Sequence, residues 1–425
     1  MRLKLLFWLM LFVFFVSCSS DSSDPDSGYS SDSNNGGNSS NSANEGSLDD
    51  LGLENAIVIK FSRNTIDVIN PHEEVTITQT DGVVEVRVDS LTQTEYNLVV
   101  SGTATDGMLK IYGDFRMTIH LNGVTIINEI KGPAINIQNG KRMAINLVGQ
   151  TYNYLTDGLA YTTLVAGEDA KGAFFSEGQL VFRGSGHLEV KGRYSHAIVT
   201  DDYFTIESGN ITIPSAENDG IHANDNISIK GGVVNITSKG EAIQSEKADV
   251  IISGGQITAK TTGIKSHGIE SFNNISISDT SGTAKLDITS FGNGSKGIKS
   301  TGWTEILGGT VNIQISGSRY VDNNKIPPDT SNASGMKVDQ DLFIEGGSLT
   351  IKSTGDKAKG ISVDGSIEMK AGSINIEADD DGIKVDRNLT VTGGSGTVKS
   401  IKKKAIDCRG SCNSGNLTIK DAGSF

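Results

Sequence analysis

A short motif that returns at nearly regular intervals is the feature that most constrains the fold of this chain. It places an aliphatic residue between small or polar ones, as in Asp219-Gly220-Ile221-His222-Ala223 and Glu241-Ala242-Ile243-Gln244-Ser245. We interpret Thr262-Gly263-Ile264-Lys265-Ser266 as the third copy. Two short β-type runs, with a glycine pair between them, separate successive copies. Each motif with its two runs therefore predicts one coil of a solenoid.

The central aliphatic or aromatic residue of the motif recurs along most of the chain. The spacing is about 21 to 25 residues, with two longer intervals that predict loop insertions. Three short β-runs per repeat with glycine at the corners are typical of an all-β parallel β-helix. The central residues are Phe174, Ile198, Ile221, Ile243, Ile264, Ile298, Met336, Ile361, Ile383 and Ile406.

The segment before the regular repeats is also β-like but does not follow their spacing. Runs such as Val83 to Val88 alternate polar and apolar residues. A solenoid needs an atypical end piece, because an open coil exposes unpaired backbone groups. We therefore predict an N-terminal β cap with the first coils over residues 51–131, and the parallel β-helix over 132–425.

Strand alternation predicts which side chains of each motif face the interior. The central residue and the residue two positions later should point inward, and the residue between them should point outward. The outward position is rich in lysine, with Lys265, Lys299, Lys337 and Lys384 among its members.

The first 50 residues predict export and membrane attachment. Residues 1–17 combine Arg2 and Lys4 with a short apolar run, which is typical of a signal peptide. The ending Phe-Val-Ser-Cys resembles a bacterial lipobox, so we expect Cys18 to be lipidated. Residues 18–50 are Ser, Asn, Asp and Gly with almost no large apolar residue, which predicts a flexible tether. We expect an exported lipoprotein of the outer membrane, exposed at the cell surface; a plain cleaved signal or a membrane anchor is the alternative.

The charge of the chain narrows the choice of partners. The formal net charge is −14, and it becomes −16 once Arg2 and Lys4 are removed with the signal peptide. A negative surface argues against nucleic acid and anionic membrane as partners, and it suits cations. We expect a monomer.

Stacked acidic residues predict calcium sites. Carboxylates on successive coils lie about one strand spacing apart and repel each other unless a cation lies between them. Calcium binds six to eight oxygens in a tolerant geometry. The alternative is that these acids bond their own turns or only increase solubility. The predicted metal ligands are Asp201, Asp202, Asn218, Asp219, Asp225, Glu241, Asp339, Asp364, Asp379, Asp380, Asp381 and Asp386.

Lysines beside these acids predict a surface for acidic polysaccharide, because a row of cations suits repeated uronate groups. The insertion at 316–335 adds Arg319 and Tyr320, and an aromatic ring on a projecting loop can stack on a sugar. The alternative is that the lysines only neutralise neighbouring aspartates. The predicted substrate-binding residues are Lys265, Lys299, Lys337, Lys384, Arg319 and Tyr320.

Cys408 and Cys412 are the cysteines that follow Cys18. A close pair in an exported protein predicts a disulfide, since a zinc site would need two further ligands at matching spacing. Two buried thiols are the alternative.

A series of motifs gives the chain a family resemblance. Gly132-Pro133-Ala134-Ile135, Lys171-Gly172-Ala173-Phe174, Asn218-Asp219-Gly220-Ile221-His222 and Asp381-Gly382-Ile383-Lys384 resemble the bacterial carbohydrate-binding domain-containing β-helix proteins over about 109–408. The resemblance implies a right-handed parallel β-helix, bound calcium and binding of polygalacturonate, in a relative of calcium-dependent polysaccharide lyases. Glu241-Ala242 and Lys404-Ala405 depart from the Asp-Gly of the family pattern, so those coils are expected to lack a metal.

Three functions are compatible with these residues. The leading hypothesis is calcium-dependent binding of acidic, pectin-like polysaccharide without cleavage, because no catalytic motif is recognisable. The second is a polysaccharide lyase in which calcium assists β-elimination and Lys265 or Lys384 is the base. The third is a structural or adhesive surface rod.

Overall fold

The structure, a computed structural model, describes residues 51–63, 65–88, 95–129, 131–162 and 164–422. The predicted signal peptide, Cys18 and the predicted tether lie outside these residues. In the part of the chain that is described, no helix has the length and apolar character needed to cross a membrane. The chain winds through successive coils, and equivalent strands of neighbouring coils pair in parallel. The predicted all-β parallel β-helix is confirmed.

Each regular coil contributes one strand to each of three faces. Face 1 is a 14-stranded sheet. With strands numbered in chain order, its members are β3 (Val75–Thr80), β4 (Val83–Val88), β6 (Met108–Tyr112), β8 (Ile135–Gln138), β11 (Gly172–Ser176), β14 (His196–Thr200), β17 (Ile221–Ala223), β20 (Ile243–Ser245), β23 (His267–Ser271), β26 (Lys296–Ser300), β31 (Ser334–Val338), β34 (Lys359–Val363), β37 (Ile383–Val385) and β40 (Ile406–Cys408).

Faces 2 and 3 belong to one 26-stranded sheet. Face 2 consists of β9 (Met143–Leu147), β12 (Leu180–Gly184), β15 (Phe204–Ile206), β18 (Ile227–Ile229), β21 (Val250–Ile252), β24 (Ile275–Ile277), β27 (Thr304–Ile306), β32 (Leu342–Ile344), β35 (Ile367–Met369), β38 (Leu389–Val391) and β41 (Cys412–Asn413). Face 3 consists of β10 (Tyr152–Thr156), β13 (His187–Gly192), β16 (Asn210–Ala216), β19 (Val233–Ser238), β22 (Gln256–Thr261), β25 (Lys285–Ser290), β28 (Thr310–Ile315), β33 (Ser348–Ser353), β36 (Ser373–Ala378), β39 (Ser395–Ser400) and β42 (Leu417–Lys420).

The first strands differ from the regular coils. They are β1 (Ile57–Arg63), β2 (Thr65–Ile69), β5 (Tyr96–Ala104) and β7 (Met117–Ile127). Strand β1 pairs with β2 in antiparallel fashion, as does β3 with β4. Strand β7 is long enough to pair with β9 through its first half and with β10 through its second half, so it joins faces 2 and 3. The segment that the sequence predicts as a cap thus contains two antiparallel hairpins, and it also contains the first parallel strand pairs.

The interior is a continuous column of aliphatic side chains. On face 1 the central residues Ile221, Ile243 and Ile298 are fully buried, and each is aligned with its equivalent on the next coil. Burying one such side chain contributes about 1.5–3 kcal/mol. The residue just before it must be small: a Cβ on Gly220 would lie 2.3 Å from Cγ2 of Ile236. The inward assignment of the central residues is therefore confirmed for these coils.

One coil of the predicted register is wrong. Ile243 pairs with Ile269, and Ile269 pairs with Ile298, so Ile269 is the central residue of that coil. Ile264 is 63% exposed, and Lys265 next to it has a φ of 59° in a corner between strands. The motif Thr262 to Ser266 is an inserted turn, and the true third copy is His267-Gly268-Ile269-Glu270-Ser271.

The insertion at 316–335 forms an antiparallel hairpin of β29 (Tyr320–Asp322) and β30 (Asp329–Ser331) beside face 1. Its two strands pair only with each other. The hairpin therefore adds a wall to the outer surface of face 1 without interrupting the stack.

Candidate binding face

Two columns of side chains point outward from face 1 and lie next to each other. One column is two residues before the buried central residue, and the other is one residue after it. Ladder pairing aligns equal positions of successive coils, as in His267 with Lys296 and Glu270 with Lys299. Because paired strands are about 4.8 Å apart, side chains of one coil contact those of the coils on either side. The polar and charged groups on the outer surface of face 1 therefore differ from one coil to the next.

Lysines converge at the C-terminal half of this surface. Lys296 and Lys359 lie two strands apart in one column, since both pair with Ser334. Lys337 and Lys384 hold the same relation in the other column. Between them is a cavity of about 280 Å³, which we call the lysine pocket. It is lined by Lys296, Thr330, Ser331, Asn332, Ser334, Lys337, Lys359, Ser362, Asp364 and Lys384.

Lys296 is the lysine of this pocket whose positive charge is least compensated. Its Nζ donates hydrogen bonds to the carbonyl oxygen of Gly294 at 2.7 Å and to Oγ of Ser331 on the hairpin. In the described part of the chain, no carboxylate lies within ion-pair distance of Nζ. Burial lowers the pKa of Lys296 to about 8, and the charges of nearby lysines, Lys299 above all, act in the same direction. An anion entering the pocket would offset this repulsion.

The other three lysines of the pocket are ion-paired. Lys337 Nζ lies 2.7 Å from a carboxylate oxygen of Asp339 and 2.7 Å from one of Asp364. Lys384 Nζ lies 3.5 Å from the carboxylate of Asp386. The predicted alternative, that lysines neutralise neighbouring acids, thus applies to these predicted calcium ligands. A calcium ion there would have to displace lysine ammonium groups.

The acidic run 379–381 is also neutralised by lysines. Lys359 pairs with Asp381, and its Nζ lies 3.5 Å from Asp380. Lys403 Nζ lies 2.8 Å from the same Asp380 carboxylate. Asp379 accepts a hydrogen bond from a backbone N–H and pairs with a further lysine at 3.0 Å. All three carboxylates are buried, and the lysines offset the cost of burying their negative charges.

Histidines and carboxylates occupy the coils before the lysine pocket. One carboxylate oxygen of Asp219, Oδ2, lies 3.0 Å from Nδ1 of His196 and 2.9 Å from Nδ1 of His222. Burial alone would raise the pKa of Asp219, but the hydrogen bonds from the two imidazoles outweigh it and lower the pKa. We call these three residues the histidine–aspartate cluster. All three are buried, with side chains at most 9% exposed.

A second group of the same kind follows on the next two coils. Glu241, His267 and Glu270 bring one ligand-type atom each to within 4.8 Å of the others. Burial raises the pKa of Glu241 to about 8, helped by the negative charge of Asp219. Burial lowers the pKa of His267 far below its usual value, and neighbouring lysines add to the effect. Lys299 pairs with Glu270, and its charge also acts on Lys296 of the lysine pocket.

The remaining predicted metal ligands lie at the corners of face 1. Asp201 accepts a hydrogen bond from Nδ2 of Asn224 at 3.2 Å. Asp202 accepts one from the backbone N–H of Tyr203, in the manner of a turn-capping residue. The Nδ2 group of Asn218 lies 3.3 Å from Nε2 of His196. Asp225 is partly buried one coil after Asp201. These residues are therefore spread over several coils, and Asp201 and Asp202 have protein partners.

Four of the predicted substrate-binding residues do not line the lysine pocket: Lys265, Lys299, Arg319 and Tyr320. Lys299 pairs with Glu270 instead. Lys265 pairs with Asp329 of the hairpin, and its Nζ lies 4.9 Å from the centre of the Tyr320 ring. Arg319 is exposed, and its backbone N–H donates to the carbonyl of Asp356. The hairpin contributes to the pocket through residues 330–332 instead.

Sequence reasoning missed Lys296 and Lys359 in the pocket and the histidines of the cluster. His196, Lys296 and Lys359 occupy the column two residues before the central residue, where the prediction considered acids, and His222 occupies the column one residue after it. The signal was available as a block of histidine and acid followed by a block of lysine in the first of these columns. The register error at Ile264 removed His267 and Glu270 from the comparison, since it put Thr262 and Lys265 in their places.

The two cysteines are free thiols in this structure. Burial raises the pKa of Cys412 to about 11, and its hydrogen bond with Cys408 acts in the same direction. The predicted disulfide is therefore not formed here, although the residues lie close together on the last coil.

A larger cavity of about 870 Å³ lies near the N-terminal strands. Its charged lining residues have mixed sign: Arg63 and Lys131 face Asp81 and Asp106. Lys131 and Asp106 already form an ion pair at 3.6 Å. The lysine pocket is the stronger candidate because four lysines converge there, while Asp364 is the carboxylate in its lining.

Comparison with known proteins relates part of this chain to carbohydrate-binding proteins. Residues 72–281, just under half of the chain, match the family model described as "Carbohydrate-binding domain-containing protein". A protein of the same description from Acetivibrio thermocellus is 30% identical over 116 residues, which are 27% of this chain and 40% of the relative. The chain thus spans less than half of that relative's length. These matches agree with the family resemblance of the motifs and support carbohydrate binding as the class of function.

Among solved structures, the chain is similar to one titled "Structure of the polysaccharide lyase-like protein from C. thermocellum, Gadolinium derivative". The two share 18% sequence identity with a TM-score of 0.40, over 80% of this chain and 99% of the other. This similarity is too low to support an argument about ligand or activity.

Proposed function

We propose that the protein binds an acidic polysaccharide along the outer surface of face 1 without cleaving it, and that calcium strengthens the binding. The observation that carries the proposal concerns Lys296, whose partly buried ammonium group has no carboxylate partner among the residues that the structure describes. It lies in a pocket with three further lysines. A uronate carboxylate supplies the missing negative charge, and an ammonium–carboxylate hydrogen bond is among the stronger polar contacts.

The shape of the surface also suits a chain-like ligand. The outward columns of face 1 run along the stack of coils, so a polymer laid on them meets a new set of polar side chains at each strand spacing of about 4.8 Å. The hairpin β29–β30 borders this surface through Ser331 and its neighbours. Hydroxyl and amide groups beside the lysines offer hydrogen bonds to sugar hydroxyls.

Calcium has its best support near Asp201. Burial raises the pKa of Asp201, and although Lys171 counteracts this effect, the charge of Asp169 adds to it. Burial also raises the pKa of Glu177, again with Asp201 and Asp169 contributing. Acids that repel each other in this way are stabilised by a divalent cation with oxygen ligands. We propose that a calcium ion there bridges these carboxylates to the glycan.

Retention of the full chain on immobilised polygalacturonate tests the proposal. We expect retention in calcium, weaker retention after chelation, and loss of retention in Lys296→Gln and Lys384→Gln. The matched control is Lys285→Gln. Lys285 lies on face 3, away from this surface, and its Nζ is 2.7 Å from a carboxylate oxygen of Asp287. The proposal is wrong if wild-type protein is not retained on any uronan, or if the control and pocket variants behave alike.

The second candidate function is a polysaccharide lyase, and the lowered pKa of Lys296 favours it. Near pH 8 the Lys296 side chain is uncharged in about half of the molecules and can accept a proton. In this reaction Lys296 takes the proton from C5 of a uronate, the C–O bond at C4 breaks with departure of the glycosidic oxygen, and a C4=C5 double bond forms. Lys265 and Lys384, the bases suggested by the sequence, are ion-paired with Asp329 and Asp386.

Absorbance of unsaturated uronides distinguishes the two functions. A lyase would release them from polygalacturonate in calcium, and Lys296→Gln would abolish the signal while Lys285→Gln would not. Retention without any such absorbance on several uronans would exclude cleavage of these polymers and leave binding as the function.

A further inference from the structure

We infer that His196, Asp219 and His222 form a binding site for one divalent transition-metal ion of the zinc class. The site is separate from the proposed calcium position and needs no glycan. It combines residues of strands β14 and β17 with the turn residue Asp219 just before β17.

The two separations between the carboxylate oxygen and the imidazole nitrogens are close to what such an ion requires, and all three ligand atoms lie within 4.8 Å of one another. A tetrahedral zinc ion with bonds of about 2.0–2.1 Å holds its ligand atoms roughly 3.3–3.4 Å apart. Here Oδ2 of Asp219 lies 3.0 Å from Nδ1 of His196 and 2.9 Å from Nδ1 of His222. An opening of a few tenths of an ångström would admit the ion. It would replace the hydrogen bonds to Oδ2 and the 3.3 Å contact of the Asp219 backbone N–H with Nδ1 of His196.

The donor atoms select the class of metal. Two imidazole nitrogens and one carboxylate oxygen suit zinc, cobalt, nickel or copper, whereas calcium and magnesium prefer oxygen ligands throughout. This set therefore disagrees with the prediction from the sequence, which assigned Asp219 to calcium together with Asn218 and Glu241. With three protein ligands, a fourth position is left for water or another ligand, as in open zinc sites.

The second nitrogen of each imidazole also has a polar partner. Nε2 of His222 lies 3.4 Å from a carboxylate oxygen of Glu246. Nε2 of His196 lies 3.3 Å from the amide of Asn218, and the oxygen of that amide can accept the ring N–H after a flip. Metal-binding histidines usually donate their other N–H to such groups, which hold the ring in place.

Local charge favours a cation here and not at the second histidine group. In the described residues, the ion-pair partners of Asp219 are the two imidazoles alone. By contrast, Nδ1 of His267 accepts the backbone N–H of Lys296 at 3.1 Å, and Lys299 already pairs with Glu270. If His267 bound a metal ion through Nδ1, it would lose that hydrogen bond. The ion would also be repelled by the positive charges of Lys296 and Lys299.

Titration of the chelator-treated full chain with zinc chloride tests the site. We expect one zinc ion per chain in wild type, and a tetrahedral d–d absorption when cobalt(II) is used instead. His196→Gln and His222→Gln should each weaken zinc binding at least about 100-fold, since even residues that only orient a ligand contribute 10–100-fold. His267→Gln is the matched control and should bind as wild type does. Excess calcium should not displace zinc.

Circular dichroism and metal-free melting of each variant separate loss of ligand from loss of fold. If a histidine variant fails to fold, Asp219→Asn takes its place, because it keeps the shape of the side chain and removes the charge. The inference is overturned if wild type takes up no zinc at micromolar concentration, or if His222→Gln binds like wild type. It is also overturned if His267→Gln, correctly folded, abolishes uptake. None of these outcomes bears on retention by polygalacturonate.

Discussion

Replacing Lys296 with methionine should stabilise the fold and remove binding at the same time. Lys296 has a pKa of about 8 instead of 10.5 because burial and neighbouring lysines disfavour its charge. A difference of 2.5 pKa units corresponds to about 3 kcal/mol for keeping the proton in the folded state. Methionine avoids this cost, but it also loses the hydrogen bonds to Gly294 and Ser331, worth roughly 1 kcal/mol each. We expect a net gain of about 1–2 kcal/mol at pH 7.

The pH dependence supplies the sharper measurement. Between pH 8 and 10.5 the unfolded chain holds a proton on Lys296 that the folded chain has lost, so wild-type stability should rise with pH in this window. Below pH 8 both states hold the proton and the cost is fully present. Lys296→Met has no such group, and its advantage over wild type should shrink from pH 8 to pH 10.5.

Denaturant unfolding of wild type and Lys296→Met at pH 7, 8, 9 and 10 tests this prediction. The contributions of all other titrating groups cancel in the difference between the two free energies of unfolding. Retention on polygalacturonate is measured on the same samples. A difference that does not change with pH would refute the assigned cause. Unchanged retention would show that the ammonium group of Lys296 does not contact the glycan.

Two further predictions concern the stack itself. Ile269→Ala should lower the free energy of unfolding by about 2–5 kcal/mol because it leaves a cavity in the core. Ile264→Ala should change it by less than about 0.5 kcal/mol. Equal effects of the two substitutions in denaturant titrations would contradict the corrected register. Lys359→Met should lower the free energy of unfolding by about 3–5 kcal/mol, because the buried Asp381 loses its partner. Lys370→Met breaks only exposed ion pairs, with Glu345 and Glu368, and should cost under about 1 kcal/mol. Similar midpoints for these two variants would show that the Asp381 carboxylate does not need Lys359.

The agreement between sequence and structure is best where one local rule repeats. A side-chain period of two and glycine at the corners specify strands with one inward face. Ile221, Ile243 and Ile298 could be assigned to the core from this pattern alone. The lysines at 299, 337 and 384 could likewise be placed on the outer surface, because they lie between two inward positions.

Local pattern failed at the corner between β22 and β23. Two neighbouring segments are alike in residue type: Thr262-Gly263-Ile264-Lys265-Ser266 and His267-Gly268-Ile269-Glu270-Ser271. Their central residues follow Ile243 by 21 and 26 residues, so the length of the repeat does not distinguish them clearly. Backbone pairing between coils decides which one enters the ladder, and it selects Ile269. That choice also brings His267 and Glu270 beside the lysines.

By itself, the sequence determined the class of fold, the inward face of most coils and the surface on which charged residues gather, because these depend on residues close together in the chain. Only the tertiary structure decided the partners of those charges. Lys359 meets Asp381 from the next coil, Lys296 meets the hairpin, and Asp219 meets His196 across 23 residues of sequence. Electrostatic interaction depends on separation in space, and the stacking of coils sets that separation.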